Sequence, residues 1–408
     1  MQINLFKKMK FVFMTRMKKM KNNILKRSHL LLVLIFVCSC AKTQNSSLSN
    51  SVIDQPKPPL SFINSNQNLG AGNGGCIAEG DIDGDGDVDI LISNKNTKSK
   101  LFINDGLGEF ALSNLVFEPS TCVAFGDVNG DTSLDIVFTH EMNIEVWLNI
   151  GEAKFSKSDQ TLTSLESTSI ALGDLDDDGD LDAFVTNWNI HPNQVFLNDG
   201  TGFFSDSGQK LGNMYGNDVA LGDIDNDGDL DALVANNGES SKNSAVLWIN
   251  EGDGFFSDSE QRLGFTNAYS VSLGDIDSDG DLDAYVANSS HNGADPADQV
   301  WINNGKGVFS DSGQRLGNLY SLIVELVDID IDGDLDAVTG NWKSSLRIWL
   351  NDGYGNFLDS KIISDSTGNA GLGIYDIDGD KDLDIVVTTN DWEGSDGLHK
   401  VWVNQQFQ

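Results

Sequence analysis

The stretch Asp223-Ile224-Asp225-Asn226-Asp227-Gly228-Asp229-Leu230-Asp231 is one of seven similar nine-residue loops in this chain of 408 residues. The loops begin at Asp81, Asp127, Asp174, Asp223, Asp275, Asp328 and Asp376, at intervals from 46 residues (81 to 127) to 53 residues (275 to 328). A period of this length matches four short strands with their turns, which form one blade of a β-propeller. The repeat therefore predicts an all-β fold of seven four-stranded blades.

Short apolar stretches flank each loop. In the fourth unit, 219–222 leads into the loop, and 232–235 follows as a continuous apolar run, typical of a strand buried on both faces. A third strand, 246–249, leads to the turn 250–254, whose Asn and Gly residues supply the positive φ of tight hairpins. No stretch shows convincing helical periodicity, so no helix is expected.

The two ends of the repeat region complement each other. The last unit stops at 401–404 and lacks a proper fourth strand. Four residues near the start share the spacing of a fourth strand: Phe62, Gln67, Leu69 and Gly70 match Phe204, Gln209, Leu211 and Gly212. We therefore expect residues 60–70 to form the outer strand of the seventh blade and to close the ring, which makes 60–408 a single propeller domain.

The first 40 residues resemble a lipoprotein signal peptide. They contain nine Lys or Arg and no acidic residue, followed by the apolar run 30–37, which is too short to span a bilayer. The segment 37–40, Val-Cys-Ser-Cys, resembles a bacterial lipobox with Cys40 as the lipidated residue, although an ordinary cleaved signal remains the alternative. Residues 41–59 are polar and predict a flexible tether. The sequence thus predicts a lipid-anchored protein of the bacterial cell envelope, at the outer membrane or cell surface.

The density of carboxylates in the loops predicts bound cations. The seven loops hold 34 of the 62 acidic residues. Two carboxylates 4 Å apart repel each other by about 4 kcal/mol at an effective dielectric constant near 20. Six or more oxygen ligands favour Ca²⁺ over zinc, which prefers Cys and His, and over Mg²⁺, which retains its water. We expect five to seven structural calcium ions.

By analogy with the EF-hand, positions 1, 3 and 5 supply side chains, Gly at position 6 makes the turn, position 7 supplies its carbonyl and position 9 closes the site. The predicted metal-binding residues are Asp81, Asp83, Asp85, Asp87 and Asp89; Asp127, Asn129, Asp131, Ser133 and Asp135; Asp174, Asp176, Asp178, Asp180 and Asp182; Asp223, Asp225, Asp227, Asp229 and Asp231; Asp275, Asp277, Asp279, Asp281 and Asp283; Asp328, Asp330, Asp332, Asp334 and Asp336; and Asp376, Asp378, Asp380, Asp382 and Asp384. Thr132 and Lys381 replace the glycine at position 6, so we expect weaker binding in the second and seventh loops.

The loops have two other interpretations. EF-hand and dockerin loops need an acidic residue at position 12 that enters a helix. Position 12 here is occupied by residues such as Ile92 and Val234, which belong to strands, so helical calcium hands are excluded. Aspartate-rich surface turns without metal remain an alternative, but seven of them in register do not arise by accident.

The repeats resemble the FG-GAP/VCBS family, whose integrin α-subunit members form seven-bladed propellers. The resemblance covers about 60–408 and implies a calcium-binding loop between the first and second strands of each blade. It implies that Asp223, Asp225, Asp227 and Asp231 bind through side chains and Asp229 through its backbone. The chain uses Leu-Gly-Asp-Ile-Asp in place of the integrin Phe-Gly and Gly-Ala-Pro signatures, and so looks closer to bacterial surface members.

The strand order places the aspartate loops on one face of the disc and the second-to-third and fourth-to-first connections on the other. Aromatic residues gather in these connections, where they would suit sugar stacking or a protein contact, or else pack between blades. These candidate ligand-binding residues are Trp188, Trp342, Trp392, Tyr215, Tyr269 and Tyr320. By contrast, Trp147, Trp248, Trp301, Trp349 and Trp402 recur at one position of the third strand and predict packing between blades.

The favoured function is recognition or adhesion at the cell surface, with a glycan or a cell-surface protein as the partner. A net charge of −36 argues against nucleic acid, and the lipid anchor would be the only membrane contact. No nucleophile, zinc or nucleotide motif is found, so no enzyme is expected. A polysaccharide lyase or hydrolase using a pair such as Glu239 and Asp295 is the alternative, as is a structural subunit of an envelope complex. Cys76 and Cys122 share one inner-strand position, where a disulfide and two free thiols are both compatible with the sequence.

Overall fold

The structure is a computed structural model that describes residues 59–237, 245–264, 267–289, 297–342, 344–363, 368–390 and 397–406. The predicted signal peptide, nearly all of the predicted tether, Cys40, Trp392 and the pair Glu239 and Asp295 lie outside these ranges. All regular elements of the described residues are β-strands, and within the same ranges no helix is long and apolar enough to cross a membrane.

The strands form seven antiparallel sheets, as the repeat predicts. The first blade contains β2 (Gly74–Gly80), β3 (Asp89–Asn94), β4 (Lys100–Asn104) and β5 (Phe110–Leu112); the second β6 (Cys122–Gly126), β7 (Asp135–Thr139), β8 (Asn143–Asn149), β9 (Phe155–Lys157) and β10 (Leu162–Thr163); the third β11 (Ser167–Gly173), β12 (Asp182–Asn187), β13 (Gln194–Asn198) and β14 (Phe204–Asp206); the fourth β15 (Gly216–Gly222), β16 (Asp231–Asn236), β17 (Ala245–Asn250) and β18 (Phe256–Leu263); the fifth β19 (Ala268–Gly274), β20 (Asp283–Asn288), β21 (Gln299–Ile302) and β22 (Ser310–Asp311); the sixth β23 (Ser321–Val327), β24 (Asp336–Asn341), β25 (Leu346–Asn351) and β26 (Phe357–Ile363); and the seventh β27 (Asn369–Tyr375), β28 (Asp384–Thr389), β29 (Lys400–Asn404) and β1 (Phe62–Asn64). In the second blade, β9 and β10 share the outer edge and both pair with β8.

The core lies between neighbouring blades, because the faces of each sheet pack on the sheets beside it. The second strand of the fourth blade, β16, is buried along its whole length, which agrees with its continuous apolar sequence. Leu233 and Ala235 of this strand pack in one cluster with Ala284 and Val286 of the fifth blade. The third-strand tryptophans join such clusters: Trp147, Trp248, Trp301, Trp349 and Trp402.

The ring closes as the sequence predicts. Strand β1 pairs antiparallel with β29, with Phe62 opposite Asn404 and Asn64 opposite Trp402. The strand is shorter than 60–70, but the segment stays attached beyond it, because Ala71 forms a bridge with Leu398. The innermost strands contact one another in circular order, including β27 with β2. Because strands from both ends of the repeat region form one blade, the ring of blades is closed.

A repeated glutamine connects adjacent blades at their outer strands. Gln209 of the third blade donates from Nε2 to the carbonyl of Gly254 at 2.7 Å and accepts at Oε1 from the amide of Phe256 at 2.8 Å. Both partners belong to the fourth blade. The same pair of bonds is formed by Gln67, Gln160, Gln261 and Gln314 with the glycine and phenylalanine of the next blade. Each side chain thus satisfies two backbone groups across a blade junction.

A disulfide joins the inner strands of the first and second blades. Cys76 and Cys122 are bonded, with their Cα atoms 4.9 Å apart. The structure therefore decides between the two possibilities that the sequence left open. The cross-link spans one repeat and limits separation of these blades in the unfolded chain.

We expect Gln209→Ala to lower the free energy of unfolding by about 2 kcal/mol, because each of its two bonds contributes about 1 kcal/mol. The adjacent exposed Lys210→Ala is the control and should change it by less than about 0.5 kcal/mol. Calorimetric or denaturant unfolding measures both. Equal stabilities of the two variants would show that the glutamine does not hold the blades together.

Candidate functional site

The aspartate loops curl around the carboxylate at their first position. Asp81 Oδ2 accepts from the amide of Gly86 at 3.0 Å, and Asp81 Oδ1 accepts from the amide of Gly84 at 2.8 Å. The bond from position 6 recurs in the other loops, including the variants, where the amides of Thr132 and Lys381 donate at 2.8 and 3.1 Å. This curl brings the carboxylates at positions 1, 3 and 5 together.

At least five loops place three carboxylate oxygens within 4.8 Å of one another, close enough to share one metal ion. The groups are Asp81, Asp83 and Asp85; Asp174, Asp176 and Asp182; Asp223, Asp225 and Asp227; Asp275, Asp277 and Asp279; and Asp328, Asp330 and Asp332. Positions 1, 3 and 5 form four of these groups, as predicted. Position 9 takes part in the third loop, through Asp182, which supports its predicted closing role there.

Several buried oxygens in these groups have no hydrogen-bond partner within the described residues. They include Oδ1 of Asp174 and Asp223 at position 1, and Oδ1 of Asp176, Asp225 and Asp277 at position 3. A buried carboxylate oxygen without a donor is costly, and a cation removes this cost. The donor set is made of hard oxygens only, so the loops fit a divalent metal ion.

Position 9 has a second, structural role. Asp231 is fully buried, and its two oxygens accept from the amides of Ile224 at 3.2 Å and Asn250 at 2.9 Å. Burial raises the pKa of Asp231 to about 7, and the Asn250 amide opposes the rise. The carboxylate therefore fastens the loop to the end of the third strand, while its charge remains poorly compensated by the protein alone.

Position 7 contributes no side chain to these carboxylate groups. Asp87, Asp180, Asp229, Asp281 and Asp334 lie against the hairpin glycines of the same blades, so closely that a Cβ on the glycine would collide with them. The position 7 side chains therefore face the hairpin of their own blade. This placement also explains why these hairpins carry glycine at Gly106, Gly200, Gly252, Gly305 and Gly353.

Positive φ angles occur at two loop positions, of which the sequence analysis found one. At position 6, Gly228 has φ +103°, and the substitutes Thr132 and Lys381 have φ +76° and +79°. Position 4 is also left-handed, and there Ile331 has φ +59°. The residues at position 4 are mostly Gly, Asn, Asp and Ser, which tolerate this conformation and were the available signal.

Of the described candidate aromatic residues, four lie in the connections opposite the aspartate loops: Trp188, Tyr215, Tyr320 and Trp342. The prediction was wrong for Tyr269, which is the second residue of strand β19. Trp188 contacts Tyr215 edge to face with ring centroids 5.0 Å apart, and Trp342 contacts Tyr320 at 5.8 Å. Tyr269 is partly buried, and its hydroxyl accepts from Asn237 at 3.1 Å. Packing therefore uses part of every described candidate.

A cavity of about 640 Å³ opens on this face beside Trp188 and Tyr269. Its volume lies within the range of small-molecule sites, about 300–1,000 Å³. Lys95 and Thr121 also line two adjoining depressions, one at the mouth of the central channel and one beside His140. The cavity wall combines these two aromatic rings with hydroxyl, amide and carboxylate groups from Thr168, Asn217, Glu141 and Glu166. Trp342 and Tyr320 do not line it.

The central channel contains acidic side chains that the sequence analysis did not single out. Glu79, Asp218 and Glu325 belong to the inner strands β2, β15 and β23. Asp218 accepts from Ser169 at 3.1 Å and from Ser270 at 2.7 Å, and so ties three neighbouring blades together. Burial, together with the negative charges of Asp218 and Glu79, raises the pKa of Glu325 to about 8.

Comparison with known proteins identifies the repeat. A family model described as the FG-GAP-like repeat matches residues 81–138, 127–185, 174–234, 223–286, 275–339 and 328–387. Among curated proteins, no sequence matches significantly.

Solved structures share the architecture at low sequence identity. The structure of BBS1N in complex with ARL6DN, soaked with mercury, has a TM-score of 0.56 at 11% identity and covers 84% of this chain and 96% of that chain. The lead-soaked form of that complex has a TM-score of 0.54 at 10% identity, with the same coverage. A lectin from Agrocybe aegerita that recognises non-reducing terminal N-acetylglucosamine has a TM-score of 0.48 at 18% identity and covers 72% of this chain and 81% of that chain. At these identities the comparison shows the fold alone.

We expect Glu325→Gln to stabilise the protein at neutral and alkaline pH. The pKa of Glu325 is higher in the folded protein than in the unfolded chain, so between pH 4.5 and about 8 the unfolded chain has lost a proton that the folded protein still holds. The free energy of unfolding therefore falls as the pH rises through this range. The amide cannot titrate, so the gain in stability should be absent near pH 4 and reach about 2 kcal/mol above pH 8. This is less than the change in pKa alone would give, because Glu325 is partly exposed to solvent. Unfolding measured across this range tests the sign. Exposed Glu109→Gln is the control, and an equal gain in that variant would contradict the prediction.

Proposed function

Because this chain belongs to the FG-GAP-like repeat family, we propose that it is a calcium-stabilised recognition module that binds a glycan on the face opposite its aspartate loops. The observation that carries the proposal is the cavity beside Trp188 and Tyr269, with its mixed aromatic and polar lining. Sugars combine apolar C–H faces with many hydroxyl groups. Aromatic rings complement the former, while amides, hydroxyls and carboxylates bind the latter.

The charge of the protein narrows the class of glycan. The chain carries a net charge of −36, and Glu141 and Glu166 line the cavity together with Lys95. A strongly acidic polymer would be repelled during approach, and the effect would weaken with added salt. The proposed ligand is therefore a neutral polysaccharide or oligosaccharide.

Calcium is the metal that the loops suit best. They offer carboxylate oxygens at positions 1, 3 and 5 and a backbone carbonyl at position 7, without Cys or His. Calcium accepts six to eight oxygen ligands in flexible geometry, whereas Mg²⁺ demands a tighter octahedron and retains several waters. The ions would offset repulsion among the loop carboxylates and make this face of the propeller rigid.

The chain is proposed to act outside the cytoplasm, anchored by lipid at Cys40. The signal-like first 40 residues support export, and the Cys76–Cys122 disulfide fits an oxidising compartment. Phe62 pairs with Asn404, at the strand end next to the aspartate loops, so the chain enters the propeller on that face.

A glycan array probed with residues 41–408 in millimolar calcium tests the recognition role. We expect Trp188→Ala to weaken binding about tenfold or more, as loss of a central aromatic anchor does. Tyr354→Ala is the control, because Tyr354 is 80% exposed in a hairpin beside the aspartate loops, on the other face. Equal loss in both variants would contradict the assignment of the face. If no glycan binds, the glycan proposal fails and a protein partner becomes the favoured ligand. If sugar products are released, the recognition proposal fails and an enzymatic function becomes the favoured one.

We expect Thr132→Gly and Lys381→Gly to strengthen calcium binding in the second and seventh loops. Glycine removes the cost of a left-handed residue, about 1–2 kcal/mol. The melting temperature should fall on chelation, and each variant should regain it at a lower free calcium concentration than the unmodified protein. Lys306→Gly, in an exposed hairpin of the same face, is the control. A chelator without effect on stability would overturn the proposed calcium role, whereas an unchanged midpoint would overturn only the ranking of the loops.

A further inference from the structure

The asparagine that ends the third strand of each blade bonds in two directions. In the fourth blade, the backbone amide of Asn250 donates to Asp231 Oδ1 at 2.9 Å, within its own blade. Its side-chain Nδ2 donates to the carbonyl of Leu175 at 2.8 Å, in the aspartate loop of the third blade, and to Leu230 of its own loop at 3.1 Å. One buried residue therefore contacts the metal loops of two neighbouring blades.

The loop carries the connection onward through position 2. The amide of Ile224 donates to Asp231 Oδ2, and the carbonyl of Ile224 accepts from Nδ2 of Asn303 in the fifth blade at 2.7 Å. The amide of Asn303 then donates to Asp283, the position 9 carboxylate of the fifth loop, at 2.8 Å. Aspartate, loop peptide and asparagine thus alternate from blade to blade.

The pattern extends around most of the propeller. The side-chain donors are Asn104, Asn149, Asn198, Asn250, Asn303 and Asn351, and the acceptors are the carbonyls of Ile377, Ile82, Val128, Leu175, Ile224 and Ile276. The series runs from the seventh loop through the first to the sixth. We call it the asparagine chain.

The asparagine chain is open at one junction, between the sixth and seventh blades. There the amide of Ile329 donates to the carbonyl of Val327 at 2.9 Å and not to Asp336. Within the described residues, Asp336 Oδ2 and Asn404 Nδ2 have no hydrogen-bond partner, although both residues are fully buried. The seventh asparagine therefore keeps its position but lacks the contact with the preceding loop.

We propose that the asparagine chain couples metal binding between neighbouring loops, so that an occupied loop raises the affinity of the next. A metal ion fixes the loop around it, including the peptide group at position 2. This peptide holds the asparagine of the next blade, which in turn holds the position 9 carboxylate of the next loop. The second ion then binds a loop whose ordering has already been completed in part, which gives positive cooperativity.

Electrostatics acts in the opposite direction. Each bound ion lowers the negative charge of the aspartate-loop face and weakens the attraction for further ions. The Debye length falls from about 10 Å in 0.1 M salt to about 3 Å in 1 M salt, so this opposing effect is largely removed at high salt. Coupling through hydrogen bonds does not depend on screening in this way. Cooperativity should therefore increase with ionic strength.

The experiment is a calcium titration of the metal-free protein at about 0.1 M and about 1 M salt, with native mass spectrometry to count the bound ions. We expect a Hill coefficient above one at high salt. At half saturation, the metal-free protein and the protein with most loops occupied should be more abundant than the species with intermediate numbers of bound ions. Occupation of one loop should raise the affinity of the next about fivefold or more, the lower end of typical couplings. A random distribution of bound ions at high salt overturns the proposal without requiring any variant.

Asn250→Ala and Asn404→Ala form the matched pair of variants. Both asparagines are buried at the same position of their blades, and both accept a backbone amide at Oδ1, from Gly252 and Gln405 respectively. Only Asn250 contacts the loop of the preceding blade. We expect Asn250→Ala to lower the Hill coefficient and Asn404→Ala to leave it unchanged, with circular dichroism confirming that both metal-free proteins retain β-structure. Equal effects of the two substitutions would overturn the proposal.

The inference depends on the proposed calcium role, and the same titration separates the two. If no calcium binds, the calcium role itself fails. If calcium binds to several loops independently, the calcium role stands and only the coupling is overturned.

Discussion

Six of the seven blades contain a buried aspartate carboxylate that accepts two backbone amides, whereas Asp336 of the sixth blade accepts the amide of Asn351. In the fourth blade Asp231 joins the loop before it, through Ile224, to the end of the third strand, through Asn250. Burying this charge is costly, and the raised pKa of Asp231 is the measure of that cost. The two hydrogen bonds of the carboxylate partly offset this cost, and they fix the position of the loop relative to the sheet. Once the loop is fixed, the carboxylates at positions 1, 3 and 5 converge, and a cation becomes the natural complement to them.

The same bonds explain how separate sheets behave as one body. Propeller blades bury apolar faces against each other, but apolar contact alone does not set the relative height of two sheets. The asparagine chain sets it at the aspartate-loop face, since Asn250 reaches the loop of the third blade. Glutamine side chains such as Gln209 set it at the outer strands, and the Cys76–Cys122 disulfide sets it at the inner strands of two blades. Directional bonds therefore fix the register that packing leaves free.

Much of this architecture follows from the sequence because it repeats. The period predicted four-stranded blades, and the Asp-x-Asp pattern located the loops between their first and second strands. The match of Phe62 and Gln67 to later units located the closing strand, although β1 is shorter than expected. The hydrogen bonds that Gln209 and Asn250 form between blades could not be predicted from the sequence, because their partners lie in neighbouring blades and no local sequence pattern identifies those partners. The cavity could not be derived for a related reason. Trp188 and Trp342 occupy equivalent positions in their blades, yet only Trp188 lines it, since the shape of the opening depends on connections that do not repeat.

The lengths of these connections separate a structural face from a variable one. Eight residues join the first and second strands of every blade, from 81–88 to 376–383, so the aspartate loops all have the same length. The second and third strands are joined by as few as three residues (140–142) and as many as ten (289–298 and 390–399). A loop whose carboxylates must converge cannot vary in length, because an insertion would move the carboxylates at positions 1, 3 and 5 apart. The second-to-third connections, which range from three to ten residues, are free of that constraint and produce an asymmetric surface. Asymmetry is what a binding site needs when the scaffold beneath it is nearly symmetric, and it supports the proposal of a recognition site on the face with the cavity.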